Sequence, residues 1–280
     1  MRPILFFLLL CVVLISCSKL STPFARPELL TNSPTNLPGS TRQEQSLTVF
    51  AAASLTEAFS EIGAKFQAIN PSIEIRFNFS GSQSLQAQIE SGAPADVFAS
   101  ANQANMDALT GSGFVDQNTP RVFVTNSLII ILPESNPAHA VSLHDLARPG
   151  LKLVLADETV PAGRYARQIL EMANSDPIYG EDFAALALAN IVSNEMDVKQ
   201  VLAKVQLGEA DAGIVYVSDS VAAPDLITIP IPADMNVSAK YSIACLRGSI
   251  NAELANKFIQ YVLSDEGQVI LQRWGFSAVQ

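Results

Sequence analysis

The sequence predicts an α/β protein with two lobes, each built on a sheet covered on both faces by helices. Three observations lead there. From Leu47 onward, short apolar runs alternate with stretches of helical apolar spacing, the pattern of strands joined by crossover helices. The alternation halts at a long, nearly continuous apolar run at 122–132, ended by Pro133 and long enough to pass between two lobes, then resumes as a second α/β unit. The composition is that of a globular chain, 49% apolar and 16% charged, and 280 residues exceed one typical domain.

The elements follow in order. Strand 47–52 feeds directly into helix 54–69, where Leu55, Ala58, Phe59, Ile62 and Phe66 recur at helical spacing. Ser54 with Glu57 three residues on reads as a capping box, so the helix starts at Ser54 with free N–H groups beside a hydroxyl. Asn70-Pro71 stops it; strand 73–79, helix 83–91 closed by Gly92, buried strand 96–99 and a helix near 102–110 follow. Residues 134–150, rich in Pro and holding His139 and His144, read as a loop with at most a short helix. Strand 151–156, helices 162–173 and 181–189, strand 190–193, helix 198–207 and strands 212–217 and 226–231 make the second unit. Strand 241–246 then returns to the first lobe, where helices 251–263 and 265–273 close the chain. Lobe 1 is therefore expected at 47–128 and 239–280, and lobe 2 at 129–238.

Residues 1–17 begin with Arg2 and continue as an apolar block from Ile4 to Ile15, too short to span a bilayer: an export signal. Its end, Leu14-Ile15-Ser16-Cys17, resembles the lipobox of bacterial lipoproteins, which implies cleavage before Cys17 and lipid attachment there. The Pro-, Ser- and Thr-bearing segment 18–46 reads as a flexible tether. The expected location is the outer face of the cytoplasmic membrane, in the periplasm or at the cell surface, with membrane contact only through the lipid. Once the leader is removed, Cys17 and Cys245 remain, and no disulfide is expected.

A formal net charge of −10 argues against nucleic acid and anionic membrane surfaces as partners. The two histidines belong to no metal-spaced set, and no Gly-x-Ser-x-Gly elbow or Walker loop occurs. We therefore expect no catalytic residue, no directly bound metal and no cofactor. A serine hydrolase using Ser54 or Ser82 is the enzymatic alternative, and neither motif has a histidine near it.

Four helix starts share one character. They are Ser54; Gly81-Ser82-Gln83-Ser84; Val160-Pro161-Ala162-Gly163; and Asn194-Glu195-Met196-Asp197-Val198. Each sets backbone N–H groups at a helix N-terminus after a strand, two add a hydroxyl, and Pro161 suits a first turn. These are the materials of an oxyanion site. Spacing alone leaves open whether the four converge.

The runs Thr48-Val-Phe-Ala-Ala-Ala-Ser-Leu-Thr56, Phe79-Ser-Gly-Ser82, Gln88-Ile-Glu-Ser-Gly-Ala-Pro-Ala-Asp-Val-Phe98, Val160-Pro-Ala-Gly-Arg-Tyr165 and Gly213-Ile-Val-Tyr-Val-Ser-Asp219, with Trp274-Gly-Phe276 near the end, resemble the periplasmic molybdate-binding proteins of bacterial ABC importers. The resemblance spans 47–276. It implies a two-lobed periplasmic binding protein fold of type II, with two mixed or parallel sheets and two crossover strands. It further implies a monomer that captures molybdate and tungstate through neutral donors and delivers them to a membrane permease. By motif position the donors would be Ser54 and Ser82 from lobe 1, and Ala162, Val198 and the Tyr216 phenol from lobe 2. A receptor for another tetrahedral oxyanion, such as sulfate, is the alternative within this class.

Overall fold

The computed structural model describes residues 45–279. The expected leader, Cys17 and residues 18–44 lie outside the described residues. Strand β1 (Gln45–Ala52) begins two residues earlier than expected, so Gln45 and Ser46 belong to the folded body and not to a tether.

β1 runs through a 3-10 turn at Ala53–Leu55 into α1 (Thr56–Ile69), followed by β2 (Ile73–Ser80), α2 (Ser82–Glu90), β3 (Val97–Ser100), α3 (Gln103–Gly111) and β4 (Arg121–Asn126). After β5 (Leu128–Leu132) come a 3-10 turn at Leu143–Ala147, β6 (Leu153–Ala156), α4 (Pro161–Ala173), α5 (Phe183–Ala189), β7 (Ile191–Glu195), α6 (Val198–Gln206), β8 (Ala212–Tyr216), α7 (Val217–Val221) and β9 (Ile227–Pro230). β10 (Ala239–Cys245), α8 (Ala252–Leu263) and α9 (Asp265–Arg273) complete the order. Two five-stranded sheets result, ordered β2-β1-β3-β10-β4 and β7-β6-β8-β5-β9. β1 pairs parallel with β2 and β3, and β6 with β7 and β8; β10 and β5 each run antiparallel to both neighbours. Both sheets are therefore mixed, and each antiparallel strand is one that the chain enters on crossing from the other lobe.

The apolar run 122–132 is two strands. Asn126 accepts a hydrogen bond from the Ser127 N–H at 3.0 Å and donates to Ser218 Oγ at 2.8 Å, and the chain leaves one sheet there to join the other. Leu128 thus pairs in the second sheet, opposite Tyr216, which moves the expected lobe boundary back by a residue or two. The return crossover lies beside it: Asn236 accepts from the Leu128 N–H at 3.0 Å and donates to its carbonyl at 2.8 Å, so the two inter-lobe connections are clamped together. Ser277 bonds Thr125 in both directions, at 2.8 and 2.9 Å, and fastens the C-terminal segment to β4.

In the first lobe α1 buries Ala58, Phe59, Ile62, Gly63 and Phe66 against the sheet and α8. Phe59 is fully buried and meets Phe77, Phe123 and Phe258 with ring centroids 5.9–6.3 Å apart. Such an aromatic costs about 3–5 kcal/mol when truncated to Ala. Gly63 makes room for this cluster, since a Cβ there would stand 2.6 Å from the Phe77 ring. In the second lobe α4 and α6 present Ala166, Ile169, Leu170, Val201, Leu202 and Val205 to the β6/β8 face. No described helix is long and apolar enough to cross a membrane.

Candidate anion-binding site

Each sheet delivers its helix starts to the ends of its parallel strands, where ligands of open α/β sheets bind. Between the lobes these starts line a small, partly open cavity. Ala52, Ala53, Ser54, Gly81, Ser82 and Ala101 line it from the first lobe, and Val160, Pro161, Ala162, Asp197, Val198 and Tyr216 from the second. All five residues singled out by motif position are on this wall, and so are all four helix starts.

The helix starts are arranged differently from ordinary caps. Ala52, Gly81 and Val160, which precede the 3-10 turn, α2 and α4, supply no side-chain cap, whereas Asn102 and Ser264 cap α3 and α9 by accepting backbone N–H groups. First-turn N–H groups have no intrahelical acceptor. At α6 the Asp197 side chain accepts one of them, from Gln200, whereas at the 3-10 turn, α2 and α4 no capping side chain does. Ser82 and Val198 hold the first helical positions of α2 and α6, and Ala162 the second of α4, after Pro161.

The expected capping box at Ser54 does not form. Ser54 lies inside the 3-10 turn, α1 begins at Thr56, and no side chain caps it. The Ser54 hydroxyl instead meets the Tyr241 hydroxyl at 2.8 Å, and Glu57 turns to Lys199 of the other lobe, at 2.8 and 2.9 Å. Local spacing gave the wrong partner because long-range partners of better geometry were available.

The hydroxyls are set as donors. Ser82 Oγ accepts the Ala101 N–H at 3.0 Å, which leaves its own proton free to be given away. Tyr216 is fully buried, and its hydroxyl stands beside that of Tyr241 without forming a well-aligned hydrogen bond, so it has no partner. Burial pushes both phenols well above their ordinary pKa, and both stay protonated. An unpartnered buried hydroxyl costs about 1–3 kcal/mol and marks a place where a ligand is expected.

Positive charge is kept one layer back. Lys199, next to Val198, bridges Glu57 on α1 and Asp219 on α7, the latter at 3.2 Å. Asp219 is wholly buried; burial raises its pKa to about 6 although Lys199 opposes the rise. Its other oxygen accepts the Tyr216 N–H at 3.2 Å. Lys199 itself is raised: burial disfavours its charge, but Asp219 and Glu57 outweigh that. A second bridge between the lobes runs from Gln83 Nε2 to the Met196 carbonyl, 2.9 Å. Sequence reasoning missed Lys199, Asp219, Tyr241 and Gln83 as neighbours of the site; Asp219 ends the run Gly213–Asp219 and Gln83 lies in the Gly81–Ser84 helix start, while no motif marks Lys199 or Tyr241.

Among the described residues no group of three His, Cys, Asp or Glu side chains could hold a metal. Neither histidine reaches the cavity; His144 packs against Tyr179 and Phe183, with ring centroids 6.0 and 6.2 Å away. Cys245 is a free thiol.

Two sheets joined by two crossovers, with a donor-lined cavity between them, define a two-lobed solute receptor. The chain belongs to the bacterial extracellular solute-binding protein family, whose model matches residues 47–277. It is 40% identical over 248 residues to the molybdate-binding protein ModA of Mycobacterium tuberculosis, covering 88% of this chain and 90% of that protein. It is 29% identical to a putative ABC transporter substrate-binding lipoprotein of Bacillus subtilis, over 83% of this chain and 86% of that one. Among solved structures, the substrate-binding domain of a putative molybdenum ABC transporter from Clostridium difficile matches with a TM-score of 0.63 and 31% identity, over 84% of this chain and 99% of that domain.

Proposed function

We propose that this protein captures molybdate, and tungstate with it, between its lobes and presents it to the permease of an ABC importer, held at the membrane by lipid on Cys17. The observation that carries the reading is the fully buried, unpartnered Tyr216 hydroxyl on a cavity where three of the four helix starts have no side-chain cap. The lining offers the Ser54, Ser82 and Tyr216 hydroxyls and the first-turn N–H groups near Ser54, Ser82 and Ala162 as neutral donors; its one carboxylate, Asp197, is turned to α6 and accepts from the Gln200 N–H and side-chain amide. The 40% identity to a molybdate-binding protein supports the choice of anion.

Neutral donors suffice. A hydrogen bond to a charged group is worth about 1.5–3 kcal/mol, so about six or seven around a dianion can support the ~12 kcal/mol of a nanomolar complex after ordering costs. They also select. Hydrogen phosphate carries a proton that the donors cannot accept, and the one lining carboxylate, Asp197, already accepts from Gln200 with both oxygens, so that proton is left unpaired at a cost of about 1–3 kcal/mol. Sulfate has the charge of molybdate, so only size can separate the two. The role is binding without catalysis: a hydrolase would need a base beside Ser54 or Ser82, and no histidine lines the cavity.

Calorimetric titration of the folded body with molybdate, tungstate, sulfate and phosphate tests this. Molybdate and tungstate should bind in the nanomolar to micromolar range and the other two far more weakly. Tighter binding of sulfate or phosphate would refute the assignment. Loss of the protein from membranes on Cys17→Ser tests the anchor.

A further inference from the structure

The cavity's donors come from two bodies that touch at few points, and one of those points is charged. Lys199 stands on α6 directly after Val198, a lining residue, and its ammonium reaches both carboxylate oxygens of Glu57 on α1, three residues after Ser54. Behind it the ammonium is held by Asp219, whose second oxygen receives the backbone N–H of Tyr216. One ammonium thus ties together the elements that carry Ser54, Val198 and Tyr216. Its side chain is 22% exposed and that of Glu57 30%, so the pair is shielded from solvent on most sides, while Asp219 is completely enclosed. The Lys199–Asp219 contact lies within the second lobe and can persist whatever the lobes do. The Lys199–Glu57 contact spans the cleft and exists only when the lobes are together.

We infer that Lys199 is a positioning residue that clasps the closed receptor: Asp219 fixes the ammonium on the second lobe, and its pairing with Glu57 sets the lobe spacing at which the five lining residues face one anion. The inference rests on the proposed anion function and adds the group that holds the closed state. Neither Lys199 nor Glu57 is on the cavity lining, so their pairing acts through the open–closed equilibrium. A contact made only after closure slows release and leaves capture unchanged, because capture occurs in the open form.

The test is the rate of anion binding and release in stopped flow, with calorimetric affinity, for the wild type, Lys199→Met, Lys199→Arg, Glu57→Gln and the Lys199→Met/Glu57→Gln double variant. We expect Lys199→Met and Glu57→Gln each to speed molybdate release about tenfold, with association within twofold of wild type. The double variant should be no worse than either single one, and Lys199→Arg should recover most of the loss. Glu57→Gln leaves Asp219 and Lys199 paired, so it reports on the clasp even where Lys199→Met unfolds the protein. Release rates within twofold of wild type in Glu57→Gln, additive losses in the double variant, or a loss confined to association would overturn the inference. If the wild type takes sulfate and not molybdate, the anion assignment fails, and the same rates measured with sulfate still decide whether the clasp exists.

Discussion

Ser54 Oγ and Tyr241 Oη lie 2.8 Å apart, both buried, although 187 residues separate them in sequence. Ser54 sits on the turn between β1 and α1, and Tyr241 on β10, the strand that returns from the second lobe. When Tyr241 donates to Ser54, the serine's own proton is released for the cavity, just as the Ala101 N–H releases that of Ser82. The strand that returns from the second lobe therefore prepares a donor on the turn between β1 and α1.

Tyr241→Phe removes that preparation without touching the cavity. Ser54 then has no donor filling its lone pairs, and anion affinity should fall by about 0.5–1.5 kcal/mol, the net worth of one hydrogen bond. Ser82→Ala, which deletes a donor outright, should cost about 1–3 kcal/mol with the melting transition retained. Calorimetry on both variants checks the order; a larger loss for Tyr241→Phe would contradict it.

Tyr216→Phe removes one donor from the lining and keeps the ring that packs against Tyr241. Anion affinity should fall by about 1–3 kcal/mol, with the melting temperature of the free protein little changed. A melting scan with and without molybdate separates binding from stability. A variant that binds at full strength contradicts the role.

Gly81 is required by closure. A Cβ at this position would lie 2.6 Å from the Met196 carbonyl on the opposite lobe, a backbone atom that cannot swing aside. Gly81→Ala should leave the free protein's melting temperature unchanged and reduce affinity at least tenfold, about 1.4 kcal/mol. Wild-type affinity in this variant would show that the lobes do not need this approach.

Asp219 gives stability a pH dependence with a definite sign. Burial raises its pKa from 3.8 to about 6, so between these values the folded state holds a proton that the unfolded state has lost. Stability associated with the group is therefore greatest below pH 4 and is lost as pH rises through 6, by about 3 kcal/mol in all. Asp219→Asn cannot ionise and should lack this loss. The difference in melting temperature between variant and wild type should move in the variant's favour from pH 4 to pH 7, and parallel profiles would contradict the assignment.

The alternation of strands and helices was legible because both lobes bury their sheets and helix stripes through local periodicity. Every expected helix and strand has a counterpart, and the bounds differ by a few residues at most, as where 241–246 becomes Ala239–Cys245. What local pattern could not show was tertiary. The run 122–132 is nearly continuous in apolarity but for the polar Thr125-Asn126-Ser127, and that interruption is where β4 ends; what the sequence does not show is that Asn126 meets Ser218, 92 residues away. Ser54 and Glu57 carry the spacing of a capping box, yet Tyr241 and Lys199 claim both side chains. The short helix α7 was unforeseen, being five residues held by its place between the lobes' crossovers. The lining residues came from motif resemblance; behind them, Asp219 closes one of those motifs without its role being legible there, and Lys199 has no such mark.

The most direct test of the account is a crystal structure of the protein with molybdate, read by the anomalous signal of molybdenum. The account predicts a single strong peak between the lobes, with its oxygens within hydrogen-bond distance of Ser54, Ser82, Ala162, Val198 and Tyr216. A peak elsewhere, or a cavity that stays closed to molybdate at saturating concentration, would contradict it.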